Sequence, residues 1–300
     1  MALVGALVEL FTTLVVILYN YMVAAYCLFV PPARKPIHGE IVLITGAGHG
    51  IGREFALQLS QLGAVTVLWD INKENNEKTA AEVRSGGGQA YTYVCDVRSY
   101  EDVARAAREV RRDVGDVSIL VNNAGVLNGG SLLDVTEADI RRTFDVNTLA
   151  HFWTVKEFLP PMIAKQTGHI FNVVSIAGFS GTALLVDYCA SKYAALGFCE
   201  SLREELVLAG HKGIHVSALC PYFVTTGLVQ KFEDKLQAAR NAHDTVVTAV
   251  DGLLRNQQLI FSPPSMWLST RIGLLFPRTT NQYMKLKAGA SIYEQYSKRQ

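Results

Sequence analysis

The sequence predicts an α/β domain, a doubly wound parallel sheet in one domain, with an N-terminal hydrophobic membrane segment before it. Three observations predict this. Short β-branched apolar runs alternate with longer helical patterns between residues 41 and 221. The first run opens into a glycine-rich loop, Thr45-Gly46-Ala47-Gly48-His49-Gly50-Ile51-Gly52. Ahead of both lie 21 consecutive uncharged residues, 10–30.

The composition narrows the class. Of 300 residues, 49% are hydrophobic and 18% charged, which excludes a disordered chain. Five cysteines are too sparse for a small disulfide scaffold. A net charge of +1 gives no basic excess, so no nucleic-acid partner is expected.

The apolar segment comes first. A helix needs about 20 apolar residues to cross a bilayer core, and residues 10–30 suffice. Pro31, Pro32 and Pro36 then stop the helix, and Arg34 and Lys35 lie among them. A cleaved signal peptide would start with a basic region, but residues 1–9 hold no Lys or Arg. A buried core helix sits badly with the proline punctuation. A membrane anchor over residues 1–30 fits best, with the two cations keeping the following body on the cytosolic side. Glu9 and Asn20 leave two forms open, a single span or a helix lying in an interface or lipid monolayer.

The body follows strand by strand. Residues 41–45 read as a buried strand, and a helix follows over 51–62. Strand 65–69 ends at Asp70, and a polar helix over 72–84 stops at three glycines. Strand 90–94 ends at Cys95-Asp96, and helix 100–114 follows. Strand 119–121 runs into Asn122-Asn123-Ala124-Gly125. A long helix is expected over 137–165, broken at Pro160-Pro161. Strand 169–174 leads to Ser175, helix 187–209 follows, and strand 215–219 ends at Cys220-Pro221. No long linker interrupts this order. The expected organisation is an anchor at 1–30, one catalytic domain at 37–262 and an apolar helical extension at 263–300. In that extension Trp267, Leu268, Ile272, Leu275 and Phe276 form an apolar face at helical spacing. Core packing is its ordinary explanation, and contact with a lipid surface the sharper one.

The glycine-rich loop lies between a strand and a helix. Glycines let the backbone approach a pyrophosphate, and the helix N-terminus offers N–H donors. Glycines also serve ordinary turns, but an acidic residue, Asp70, stands about 20 residues on at the end of the second strand. As more than a turn or cap residue, it would accept from ribose hydroxyls and repel a 2′-phosphate. The loop therefore favours NAD over NADP, although Arg53 nearby could in principle face a phosphate. His49 is read as a loop residue.

Tyr188 and Lys192 stand four apart, one helical turn. A phenol titrates near about 10, too high for a base at neutral pH. A neighbouring ammonium lowers it, so Tyr188 could take a hydroxyl proton, while Lys192 could also hold a ribose. Alone the pair would be a plain helix surface. With Ser175 at a strand end to steady the substrate oxygen, and the loop upstream, it reads as a site; Ser180 is an alternate to Ser175. No histidines have metal-ligand spacing. Cys95, Cys189, Cys199 and Cys220 read as reduced, packed thiols.

The loop at 45–52, Asp96, Asn122-Asn123-Ala124-Gly125, Asn147, Ser175 and Tyr188-Cys189-Ala190-Ser191-Lys192 occur in one order over about 180 residues. In this the chain resembles the short-chain dehydrogenase/reductase superfamily, whose sheet is Rossmann-like. With G-E-I-V-L-I-T-G-A-G, V-L-W-D-I-N-K and C-P-Y-F-V-T-T-G added, it resembles a membrane-associated branch of hydroxysteroid and retinol dehydrogenases. The resemblance implies catalysis by Asn147, Ser175, Tyr188 and Lys192, with Asn147 holding a water that joins Lys192 to solvent. It implies that Gly46, Gly48, Gly50, Ile51 and Gly52 meet the cofactor phosphates, that Asp96 and Val97 meet adenine, and that Asn123, Ala124 and Gly125 line the cofactor. Val224 and Thr226 would meet carboxamide and phosphate, in a loop where Tyr222 replaces the usual glycine. The implied reaction is NAD-dependent oxidation of a lipophilic alcohol, a retinol or 17β-hydroxysteroid. An NADPH-dependent carbonyl reductase and a non-catalytic lipid-droplet scaffold are the alternatives, the intact catalytic set opposing the second. A homodimer through helices 137–165 and 187–209 is implied, at the endoplasmic reticulum membrane or a lipid droplet, facing the cytosol.

Overall fold

The computed structural model describes residues 2–226, 239–273 and 275–288. The chain divides into two units, one ending at Pro36 and one beginning at Ile37. The first holds helix α1 (Ala2–Phe29). Its stretch Val4–Cys27 is long and apolar enough to cross a bilayer, and none of it is buried. That exposure removes the core-helix reading of this segment.

The second unit alternates strands and helices: β1 (Ile41–Thr45), α2 (Gly50–Gln61), β2 (Val65–Asp70), α3 (Lys73–Ser85), β3 (Gln89–Val94), α4 (Tyr100–Asp113) and β4 (Ile119–Asn122). It continues with α5 (Glu137–Phe144), a π-turn (Asp145–Leu149), α6 (Ala150–Lys165), β5 (Gly168–Val173), α7 (Val186–Leu208) and β6 (Ile214–Pro221). The short pair β7 (Val224–Thr225) and β8 (Arg240–Asn241) precedes α8 (Ala242–Leu254), β9 (Leu259–Ser262), α9 (Met266–Gly273) and α10 (Arg278–Ala288). Seven parallel strands form one sheet in the order β3-β2-β1-β4-β5-β6-β9. The body is thus the expected doubly wound sheet.

Side chains alternate across each strand and feed two cores. Leu43, Trp69, Leu120 and Ile170 pack under α4, α6 and α7. Val42, Ile44, Leu68, Val121 and Phe171 pack under α2, α3 and α8. Because both faces are covered, β4 and β5 are buried along their whole length. Local chemistry sets the helix starts. Asn72, Ser99, Thr136 and Asn241 each accept a hydrogen bond from the N–H three residues on.

The expected break at Pro160-Pro161 does not occur. Both prolines lie inside α6. Pro161 has no N–H for the carbonyl of Glu157, but Arg111 Nη1 donates to that carbonyl at 3.0 Å and Nη2 to the Glu157 carboxylate at 3.0 Å. The freed acceptor is satisfied from α4, so the helix runs on to Gln166, which closes it at φ 52°. The irregularity falls instead at Asp145–Leu149, where the helix widens into one π-turn that carries Asn147.

The apolar face of the C-terminal extension is also corrected. Trp267 and Leu268 are about half exposed, Leu275 is 82% exposed, and α9 buries no residue. Among the described residues, core packing therefore does not explain the face. Residues 289–300 of the extension lie outside the described residues. Cys95, Cys189, Cys199 and Cys220 form no disulfide among the described residues and are buried, as expected. Burial pushes the Cys95 and Cys199 thiols up to about 12, which keeps them protonated and inert.

The Trp69–Phe158 contact, with ring centroids 5.6 Å apart, joins β2 to α6, and both residues are fully buried. Phe158→Ala leaves a cavity there and should cost about 3–5 kcal/mol. Chemical denaturation measures it, and a loss below about 1 kcal/mol would mean that the site collapses without a void.

Candidate active site

Parallel strands all deliver their C-terminal ends to one edge. A cavity of about 520 Å³ opens there, lined by residues that follow or end β1 through β6. It straddles the point between β1 and β4 where the strand order reverses, the standard ligand position in such sheets.

The loop after β1 is held from below. Thr45 Oγ1 accepts from the N–H groups of Asn123 and Ala124, each at 3.0 Å. Asn123 Nδ2 donates back to the carbonyls of Thr45 at 2.9 Å and Gly46 at 3.1 Å. Gly46 has φ +65°, and a Cβ there would lie 2.9 Å from Ala124 Cα. A Cβ at Gly52 would lie 2.1 Å from the Gly46 carbonyl oxygen. Only glycine fits either place. His49 gives α2 no side-chain cap, so the first N–H groups of that helix are left for a ligand.

Asp70 ends β2 and faces the cavity. Gly48 N–H donates to its Oδ2 and Asn72 N–H to its Oδ1, both at 2.8 Å. Asp70 is therefore a turn residue and a cavity carboxylate at once. Arg53 turns elsewhere, to Glu54 at 2.8 Å and to Glu82. Asp96 lines the cavity as well, but Arg98 grips both of its oxygens at 2.6–3.0 Å and holds its carboxyl below the usual range.

At the other end stand Ser175, Tyr188 and Lys192. Ser175 follows β5 and its Oγ accepts from Ala177 N–H at 3.1 Å. Lys192 is buried; its Nζ lies 5.8 Å from the Tyr188 ring centroid and donates to the Val173 carbonyl at 2.9 Å. Asn147 lies behind them. Its Oδ1 accepts from Val126 N–H at 2.8 Å, and its Nδ2 donates to the Val126 carbonyl at 2.9 Å and to Ser191 Oγ at 3.1 Å. Thr148 Oγ1 donates to the Ser191 carbonyl at 2.9 Å, and Thr143 Oγ1 donates to the Asp187 carboxylate at 2.9 Å. These bonds pin the first turns of α7, and so Tyr188 and Lys192, against α5 and the π-turn.

The cavity wall takes in every residue expected from the sequence except Gly48, Gly52 and Asn147, which shape it from behind. It also takes in residues that the sequence reading missed. Leu127, Leu185 and Phe223 pack around Tyr188 and Ala177 as an apolar lobe. They are scattered over three loops without a motif, and Tyr222, with its N–H on the Ser262 carbonyl at 2.8 Å, was the one local clue.

The model of the family "short chain dehydrogenase" matches residues 40–237. The chain belongs to that family. Human epidermal retinol dehydrogenase 2 is 48% identical over 267 residues, 88% of this chain and 86% of the relative. Human 17-beta-hydroxysteroid dehydrogenase 13 is 41% identical over 271 residues, 90% of each. Among solved structures, a short chain dehydrogenase/reductase from Burkholderia phymatum in complex with NAD has a TM-score of 0.72 at 28% identity, covering 79% of this chain and 93% of that one. A metagenomic short-chain oxidoreductase in complex with NADP has a TM-score of 0.65 at 31% identity, covering 76% and 96%.

This dehydrogenase is an enzyme that takes a nicotinamide cofactor and a small-molecule substrate. The uncapped helix end, the side-chain-free cradle and the Asp70 carboxylate fit a dinucleotide. Burial lowers Lys192 from 10.5 to about 8. Between these values the unfolded chain binds the proton and the folded one does not, so stability rises with pH across that window. Below about 8 the dehydrogenase carries the full burden of the buried charge. Without cofactor, Lys192→Met should therefore stabilise the fold at pH 7 by about 1–3 kcal/mol, a gain reduced by the abandoned Val173 carbonyl. Denaturation at pH 7, 9 and 10.5 should show the gain fading toward the highest pH. A gain independent of pH would refute the burial account.

Proposed function

We propose that the dehydrogenase oxidises the hydroxyl of a hydrophobic lipid alcohol, of retinol or 17β-hydroxysteroid type, with NAD. The observation that carries this reading is the apolar lobe. Leu127, Leu185 and Phe223 pack with Ala177 about Tyr188, where an alcohol must present its carbon skeleton. The relatives named as retinol and hydroxysteroid dehydrogenases support the same class.

In this reading Tyr188 takes the hydroxyl proton, and Lys192 beside it favours the phenolate. Ser175 Oγ, set by its bond from Ala177 N–H, donates to the substrate oxygen and holds it against Tyr188. The bound cofactor supplies the hydride acceptor. Gly46, Gly48, Gly50, Ile51 and Gly52 would hold its phosphates, Asp96 and Val97 would meet adenine, and Asn123, Ala124, Gly125, Val224 and Thr226 would line the rest of it. Asp70 favours NAD. Its carboxylate, on the cavity wall, would repel a 2′-phosphate, its neighbours Ile71, Asn72 and Asn75 carry no charge, and Arg53 is committed to Glu54 and Glu82.

The chain would act at a lipid surface, at the endoplasmic reticulum membrane or a lipid droplet, with residues 1–30 as anchor and the catalytic body on the cytosolic side. The length and exposed apolarity of α1 support this. Phe152 on α6 and Tyr193 on α7 are about half exposed, which supports a homodimer through those helices.

Turnover of the detergent-solubilised chain with NAD⁺ and NADP⁺ against all-trans-retinol, estradiol and a long-chain alcohol tests the reading. Oxidation is expected with NAD⁺, and Tyr188→Phe should lower kcat at least about 10²-fold while NADH binds as before. Silence across the panel, or a fully active Tyr188→Phe variant, would sink it. Liposome flotation tests the surface contact. A chain lacking residues 1–30 should still bind weakly through Trp267, Leu268 and Phe276. Loss of all binding would count against that second contact.

A further inference from the structure

Among the described residues, the lysines and arginines of the cavity wall are Arg98, Arg142 and Lys192. Arg98 grips Asp96 with Nε and Nη2, and buried Lys192 donates to the Val173 carbonyl. Arg142 is spent at one nitrogen alone. Its Nη2 donates to Asn128 Oδ1 and lies 3.6 Å from the Asp139 carboxylate, while Nε and Nη1 form no hydrogen bond among the described residues. The N–H donors on those two nitrogens remain for a ligand.

The guanidinium is held in place from behind. Asn128 is buried, and its Nδ2 donates to Thr143 Oγ1 at 2.7 Å and to the Asp139 carbonyl at 3.0 Å. Thr143 in turn donates to the Asp187 carboxylate at 2.9 Å. Each donor in this line points from the Arg142 cation toward the Asp187 anion, so the bonds polarise one another in one sense. A planar cation anchored at one nitrogen and bare at the others is preorganised for an anion.

Its place along the cavity says which anion. Asp70 and Asp96, at the ends of β2 and β3, stand at one end of the wall, and Ser175 after β5 and Tyr188 stand at the other. β1 and β4 lie between them in the sheet. The glycine loop follows β1. Asn128, the anchor of Arg142, lies in the segment after β4, and Val146, one helical turn on from Arg142, lines the same wall. A dinucleotide that reaches from end to end carries its pyrophosphate past this midpoint. The glycine loop offers that dianion backbone N–H groups but no arginine, because Arg53 is held by Glu54 and Glu82.

We propose that Arg142 binds the cofactor's pyrophosphate from the β4 side, as the glycine loop does from the β1 side. This rests on the reading that adenine lies at the Asp96 end.

Calorimetry of ADP and of adenosine on the detergent-solubilised full chain tests this without turnover, since only ADP carries the pyrophosphate. Arg142→Gln should weaken ADP about tenfold and leave adenosine within about twofold, and the loss should shrink as salt rises to about 0.5 M. Arg142→Lys, which keeps the charge without the fork, should recover part of the loss. Equal losses for both ligands, or ADP bound as tightly as before, would overturn the proposal. The wild type gives a second reading that no folding defect blurs. Saturating ADP, and not saturating adenosine, should protect Arg142 from phenylglyoxal, as read by peptide mass. Protection by both or by neither would overturn it as well. ADP bound with Arg142 indifferent sinks this proposal alone, whereas a wild type that binds neither ADP nor NADH sinks the cofactor reading and this proposal with it.

Discussion

The site depends on a backbone approach that no side chain permits. Gly52, in the first turn of α2, lies so close to the Gly46 carbonyl that a Cβ would meet it at 2.1 Å. That contact brings helix and strand together tightly enough to aim the uncapped N–H groups of α2 into the cavity. Thr45 and Asn123 hold the same loop with four hydrogen bonds across β1 and β4. The cofactor seat is thus backbone geometry, fixed by bonds between two strands.

The catalytic end is built differently. Here side chains from distant elements hold one another. The π-turn presents Asn147 to Val126 and Ser191, Thr148 takes the Ser191 carbonyl, and Lys192 is left pointing at Val173. An extra residue per turn shifts the following helical face, so the widening at Asp145–Leu149 lets α5 and α6 each keep their packing while Asn147 turns inward. The cost is a buried lysine, whose charge the fold desolvates.

What the sequence disclosed was what is local in it. The glycine loop, Asp70 at a strand end and the Tyr188–Lys192 turn are short patterns whose chemistry depends on spacing alone, and the structure gathers them at one cavity. The strand and helix alternation was equally readable, because burial on both faces writes continuous apolar runs. What stayed hidden depends on partners far along the chain. Two prolines read as a break because the rescue of the Glu157 carbonyl comes from Arg111, 46 residues away. The apolar lobe joins Leu127 to Phe223, which no window spans. The face on α9 has the period of a packed helix, and only the fold reveals that no described residue buries it.

Asp70 has a consequence for the evolution of cofactor choice. Its carboxylate is also the peg on which the glycine loop hangs, through Gly48 on one oxygen and Asn72 on the other. A descendant that exchanged this acid for a neutral or basic residue, to welcome an extra phosphate, would slacken the loop meant to hold that phosphate. The trade is open only to a chain that first ties Gly48 down by another route, so any change at this position is governed by an ordering of steps as much as by charge.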